Sequence, residues 1–140
     1  MIRMTQTLVF LALIAAACSS DSPAGPDEPT LGKPFDVGAG ETAVLASEGL
    51  RIVFREVKND SRCPVGDTCF WEGDAEVVLH VETTPEDRAE IGLHTNSRFP
   101  TSVSFQKYRV VLQDLRPLAK SGKPVARKDY RATLVVSLDD

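Results

Sequence analysis

Two histidines, His80 and His94, are the side chains with the most evident chemistry, because each falls on the polar side of an alternating segment. If the two segments are neighbouring strands, the imidazoles could approach each other and hold a metal ion together with an acid such as Glu82. Two exposed histidines without a third ligand in register are usually not ligands. We therefore keep these histidines only for the alternative function. In it, the protein binds a metal ion or is a small hydrolase that uses His80, His94 and nearby carboxylates.

The acidic residues between Glu56 and Glu76 form a second candidate cluster, with calcium as the ion to consider. Their spacing does not fit an EF-hand, and basic residues such as Lys58 stand among them, so a solvated surface of mixed charge is the better interpretation. The sequence has no Gly-x-Ser-x-Gly motif, and no Ser-His-Asp arrangement can be argued from it. We predict no catalytic residue, no metal ligand and no cofactor, and therefore a protein that is not an enzyme.

Residues 1–17 have the pattern of an export signal, in which Arg3 is the single charge and residues 8–17 are all apolar. Ten apolar residues span about 15 Å as a helix, roughly half of a bilayer core, which argues against a permanent transmembrane helix. The three alanines before Cys18 resemble the lipobox of bacterial lipoproteins, although Ala15 stands where Leu is favoured. The resemblance implies that Cys18 is lipidated and anchors the chain in a membrane. An ordinary signal peptide with an incidental cysteine is the alternative.

Residues 18–33 predict a tether that starts at the lipidated cysteine, because Ser, Asp, Gly and three prolines leave almost nothing apolar to bury. Ser19 resembles the residue found in lipoproteins that are passed on to an outer membrane. For a bacterium with two membranes, we therefore predict a location in the cell envelope, anchored in the outer membrane. Residues 34–140 then form one folded domain. Without the signal the chain has 15 basic and 20 acidic residues, which argues against nucleic acid as a partner.

With Cys18 assigned to the lipid, an exported chain has two cysteines left, and we predict that Cys63 and Cys69 form a disulfide. The chain-entropy relation gives about 2.4 kcal/mol of stabilisation for so short a loop, and Pro64 and Gly66 suit its tight turn. A redox or metal-binding pair is the competing interpretation. Five residues separate the cysteines, however, whereas a redox motif has two between them and a closed zinc site needs four ligands.

The two cysteines belong to a longer motif, D-S-R-C-P at residues 60–64 and C-F-W-E-G-D-A at residues 69–75. It resembles the motif of a family of small exported bacterial proteins, many of them lipoproteins, written D-S-R-C-P, a short spacer, then C-x-W-x-G-x-A. A weaker resemblance continues through residues 107–117 and the last strand. The resemblance implies an all-β domain in the envelope and no established activity. Glu72 departs from it, because a small residue is common at that position.

The loop that carries this motif has a structural and a functional interpretation. In the structural one, Asp60 accepts hydrogen bonds from the turn, Arg62 pairs with it or reaches loop carbonyls, and Trp71 is a buried core anchor beside the disulfide. In the functional one, the loop exposes Phe70 and Trp71 and recognises a partner. We expect the structural role. In the functional alternative, the residues of the recognition loop are Asp60, Arg62, Phe70 and Trp71.

Apolar residues that alternate with polar ones predict seven or eight short strands, and no segment shows a convincing 3.6-residue period. Strands joined by Gly and Pro turns are typical of an all-β domain, so we predict a single antiparallel β-sandwich, immunoglobulin-like, or a small barrel. The first two strands flank a Gly-Ala-Gly sequence and are expected to pair. The predicted strands are residues 35–37, 42–45, 50–55, 75–82, 89–94, 103–105, 108–112 and 130–138.

Residues 116–128 form a basic segment between the last two strands. They could contact an anionic headgroup or an acidic polymer, but an ordinary solvated loop is the better interpretation. Taken together, the patterns predict a non-catalytic, lipid-anchored envelope protein that acts as a binding or structural module. Its expected partners are the membrane, through the anchor, and an envelope protein or polymer.

Overall fold

The computed structural model of the protein describes residues 28–139. The export signal, Cys18, Ser19 and the first part of the tether lie outside the described residues, so the predictions made for them stay predictions. Among the residues that are described, no helix has the length and apolar character needed to cross a membrane.

Eight strands form within residues 28–139, in agreement with the predicted seven or eight. They are β1 (Phe35–Gly38), β2 (Thr42–Leu45), β3 (Leu50–Lys58), β4 (Glu76–Glu82), β5 (Arg88–His94), β6 (Ser102–Phe105), β7 (Tyr108–Arg116) and β8 (Arg131–Leu138). Two single 3-10 turns, Ala46–Glu48 and Arg127–Asp129, complete the regular structure of this part of the chain.

The strands build two antiparallel sheets of four, in the orders β1-β8-β7-β6 and β2-β3-β4-β5. The sheets stay separate across residues 28–139, so the β-sandwich is confirmed and the small barrel is not formed. The immunoglobulin-like comparison holds for the two packed sheets but not for the connections. Consecutive strands are neighbours throughout each sheet except where β1 joins β8, whereas immunoglobulin domains have Greek-key connections.

The predicted pairing of the first two strands is wrong. β1 pairs with β8 and β2 pairs with β3, so the Gly-Ala-Gly sequence carries the chain from one sheet to the other. Each of these four-residue strands pairs instead with a longer strand, β1 with β8 and β2 with β3. A short separation in the sequence therefore did not decide the pairing.

The core lies between the sheets and follows the predicted alternation. Leu50, Ile52 and Phe54 on β3 are fully buried, and alternate residues of the other strands face them. Val78 was expected on the solvent side of β4 but is also buried. It lies opposite Glu56, where a bulge shifts the β3–β4 register, and opposite Gly92 of β5. The other fully buried large side chains are Leu45, Leu79, Leu93, Tyr108, Leu134, Val37, Val77, Val81 and Val110.

The strand directions give the sandwich two different ends. Because every neighbouring pair is antiparallel, the long connections β3–β4 (residues 59–75), β5–β6 (95–101) and β7–β8 (117–130) all lie at one end, here named the loop end. Residues 59–75 are named the disulfide loop and residues 117–130 the basic loop. The chain enters β1 from the opposite end.

Candidate functional site

A bond between Cys63 and Cys69, with an S–S distance of 2.05 Å, closes the outer part of the disulfide loop. The predicted disulfide is therefore confirmed. Outside the bond, the two arms of the loop form a short backbone ladder: the Ser61 N–H donates to the Asp74 carbonyl at 2.7 Å and the Cys63 N–H donates to the Glu72 carbonyl at 2.8 Å. The loop is thus an extension of β3 and β4.

Gly73 lets the two arms approach each other. Its φ is +74°, a conformation in which L side chains are strained. A Cβ at this position would also lie 1.8 Å from the carbonyl oxygen of Ser61. The glycine of the C-x-W-x-G sequence is therefore required by the backbone itself.

Asp60 and Arg62 form a forked ion pair at the base of the loop. The Nε of Arg62 donates to Oδ1 of Asp60 at 2.8 Å, and Nη2 donates to Oδ2 at 2.7 Å. The same guanidinium donates from Nη1 to the Leu115 carbonyl at 2.7 Å and from Nη2 to the Pro117 carbonyl at 3.0 Å. Arg62 therefore fastens the disulfide loop to the end of β7, as the structural interpretation of this residue predicted.

Tyr130, where the basic loop meets β8, completes this network. Its hydroxyl donates to Oδ2 of Asp60 at 2.8 Å. Burial, together with the hydrogen bond to Asp60, raises the pKa of Tyr130 to about 12. Burial alone would raise the pKa of Asp60, but the hydrogen bonds from Arg62 and Tyr130 and the charge of Arg62 outweigh it and hold that pKa below its usual range. The carboxylate is therefore a charged acceptor.

Asp74 organises the neighbouring β5–β6 loop. Its Oδ2 accepts from Nδ1 of His94 at 2.6 Å, and its Oδ1 accepts from the Asn96 N–H at 3.0 Å. Burial opposes ionisation here, but these two hydrogen bonds outweigh it and lower the pKa of Asp74. Asn96 is buried, and its side-chain amide donates to the Gly73 carbonyl at 2.8 Å. These contacts connect the β5–β6 loop to the disulfide loop.

The two histidines do not meet. His94 lies opposite Glu76 in the β4–β5 register, four residues along β4 from His80, which corresponds to about 13 Å. His80 instead pairs with Glu90 of β5 at 2.7 Å, while His94 pairs with Asp74. The described residues contain no group of three or more His, Cys, Asp or Glu side chains arranged to hold a metal ion. The two-histidine site of the alternative function is therefore not assembled.

Trp71 is not the buried core anchor that its position predicted. Its exposure is 44%, and that of Phe70 is 106%. Both side chains lie outside the core, because Phe70 and Trp71 belong to the disulfide loop and not to the alternating strand β4. Of the four residues of the predicted recognition loop, Asp60 and Arg62 form hydrogen bonds within the domain. Phe70 and Trp71 are exposed to solvent, where a partner could contact them.

Exposed large apolar side chains are concentrated at the loop end. Residues 28–139 contain seven of them, and five lie there: Val65, Phe70, Trp71, Phe99 and Leu118. The other two, Val44 and Leu138, lie on strands. A shallow cleft of about 210 Å³ lies between the disulfide loop and the basic loop, and both Val65 and Leu118 line it.

Phe99 and Leu118 were not identified from the sequence as surface residues of this site, and neither Asn96 nor Tyr130 was identified as part of its support. For Asn96 a signal exists, because an Asn directly after an alternating strand is typical of a turn. In the structure its Oδ1 accepts from the Arg98 N–H at 3.0 Å, as in an Asx turn. The role of Tyr130 depends on contact with a residue seventy positions away in the chain.

Comparisons with protein-family models, with curated proteins and with solved structures gave no match for this chain. The resemblance of its motif to that of small exported bacterial proteins therefore stays a prediction.

Proposed function

We propose that the protein is a non-catalytic, lipid-anchored module of the bacterial envelope that binds an envelope protein or polymer through its loop end. The observation that carries the proposal is the location of five of the seven exposed large apolar side chains of residues 28–139 on this end. Contiguous exposed apolar surface is typical of interaction sites. Two of the five, Phe70 and Trp71, are adjacent aromatic residues, and Trp in particular is enriched among residues that dominate binding energy.

The support beneath these side chains favours binding over a passive surface. The disulfide, the Arg62 fork and the buried amide of Asn96 fix the loops that carry them. A loop that is ordered before binding loses less conformational entropy when the partner arrives. The loop end therefore presents its aromatic side chains from a rigid frame.

The anchor and the outer-membrane location rest on the sequence around Cys18 and Ser19 alone. Within the described residues, the chain enters β1 at the end of the sandwich opposite the disulfide loop.

A photo-cross-linking residue at Phe70 tests the binding surface in the full chain, produced in its own envelope. We expect an adduct from position 70. The matched control is the same cross-linker at Leu138, which is also exposed and apolar but ends β8 at the opposite end of the sandwich. Absence of an adduct from position 70, or equal adducts from both positions, contradicts the proposed binding end.

The anchor is tested separately by Cys18→Ser, which removes the proposed acyl acceptor. We expect the full chain to move from the membrane fraction to the soluble fraction, because stable anchoring needs the acyl chains. Continued sedimentation of the variant with membranes after washing in high salt and carbonate contradicts the anchor.

A further inference from the structure

The two long loops at the loop end carry opposite charges. Residues 63–73 of the disulfide loop contain two acids, Asp67 and Glu72, and no base. Residues 118–128 of the basic loop contain Lys120, Lys123, Arg127 and Lys128 and no acid. All six of these side chains are exposed. The disulfide loop at the end of one sheet therefore carries unpaired acids, and the basic loop at the end of the other sheet carries bases.

These charges do not neutralise each other within one copy. The two loops are in contact, since the Val65 N–H donates to the Ala119 carbonyl at 3.0 Å. Even so, the ion pairs formed among residues 28–139 include neither Asp67 nor Glu72 and none of the four cations of the basic loop. Of these cations, Arg127 donates to the Arg55 carbonyl at 2.6 Å. The disulfide loop joins two strands of one sheet and the basic loop joins two strands of the other. The surface thus has two complementary sides that are unpaired.

We propose that the partner of the loop end is a second copy of this chain, bound end to end. A twofold axis in the plane of contact, perpendicular to the line from the disulfide loop to the basic loop, places each disulfide loop opposite the basic loop of the other copy. Such an interface is self-complementary, as the contact in a twofold dimer has to be. This inference rests on the proposed function, because it requires that the loop end binds.

The distribution of charge and apolar surface favours a protein copy over a lipid surface. Aromatic side chains at the centre and charges of both signs at the rim are typical of protein interfaces. An anionic membrane would attract the lysines but repel Asp67 and Glu72.

Charge-reversed variants test this pairing in the full chain, with the photo-cross-linker at Phe70 and an adduct of twice the chain mass as the readout. Asp67→Lys with Glu72→Lys makes both loops basic. Lys120→Glu with Lys123→Glu and Lys128→Glu makes the second loop acidic and keeps Arg127, which donates to the Arg55 carbonyl. Because like charges then face each other, each variant alone should lose the dimer adduct by about tenfold or more. Produced together, the two variants should recover it as a mixed dimer.

A single chain with all five substitutions is the second test, because it exchanges the charges of the two sides and should form the dimer again. Its recovery also shows that the paired variants failed through charge and not through misfolding. An adduct with a different protein, a polymer or a lipid overturns the dimer but leaves the proposed binding end intact. A dimer adduct that is unchanged by either reversal overturns the charge pairing, and absence of any adduct at position 70 overturns both proposals.

Discussion

Replacing Arg62 by Ala should destabilise the domain strongly, because this side chain holds the disulfide loop to the end of β7. Arg62 and Asp60 are 12% and 15% exposed, and the guanidinium donates to two backbone carbonyls as well as to the carboxylate. The substitution leaves Asp60 charged, with Tyr130 as its remaining side-chain donor. Breaking a largely buried pair in this way costs about 3 kcal/mol, a large fraction of the roughly 5 to 15 kcal/mol that stabilises a domain.

The assay is equilibrium unfolding in urea, followed by the circular dichroism of the β-sheets. A loss of this size should lower the midpoint by roughly 1 to 3 M urea. Arg116→Ala is the matched control, because Arg116 pairs with Asp114 across the same two-residue spacing at 2.9 Å but is 75% exposed. The control should change the free energy of unfolding by less than about 0.5 kcal/mol. Equal midpoints for the two variants would refute the stabilising role of Arg62.

The ion pair between Asp60 and Arg62 should also make the stability of the domain depend on pH. The pKa of Asp60 lies below its usual value of 3.8, so the carboxylate is charged in the folded state at a pH where it would be protonated in the unfolded chain. Its contribution to stability is present above that usual value and is lost as the pH falls through the lowered pKa. The difference between Arg62→Ala and the natural chain should therefore shrink in strong acid.

Three further outcomes are expected. Trp71→Ala should change the free energy of unfolding by less than about 0.5 kcal/mol, because the Trp71 side chain is exposed. Phe54→Ala, which empties part of the core, should lower the free energy of unfolding by about 3 to 5 kcal/mol. Chemical denaturation measures both changes. Gly73→Ala should destabilise the domain by more than about 1 kcal/mol, because its φ is positive and its Cβ would overlap a backbone carbonyl, and the same assay measures it. Tyr130 should ionise near its raised pKa of about 12 in an absorbance titration, and Asp60→Asn should lower that pKa. Since the folded pKa exceeds the usual 10, this contribution to stability is present below pH 10 and lost as the pH rises towards 12.

The strands and most of the core could be predicted from the sequence, because burial of one face of a sheet imposes an alternating pattern. Leu50, Ile52 and Phe54 show it directly. The partner of β1 could not be predicted, because the alternation of a strand does not specify which strand lies beside it. β1 and β2 are close in the chain but belong to different sheets.

The candidate site was predicted in part. The disulfide followed from the cysteine count in an exported chain. At the junction of strand and loop, Arg62 was expected either to pair with Asp60 or to reach loop carbonyls, and it does both. The exposure of Trp71 did not follow, because in an irregular loop the side-chain direction is set by backbone conformation and not by alternation. The separation of His80 from His94 depended on strand register, which the sequence alone did not specify.

Hydroxyl-radical footprinting of the full chain tests most directly whether the loop end is a binding surface. The protein is labelled in intact envelopes and again after extraction and purification, and oxidation is compared at Phe70, Trp71, Val44 and Leu138, all of which are exposed in the isolated domain. We predict that Phe70 and Trp71 are protected in the envelope and become reactive on dilute extraction, while Val44 and Leu138 react equally in both samples. Equal oxidation of Phe70 and Trp71 in the two samples would contradict a binding role for the loop end.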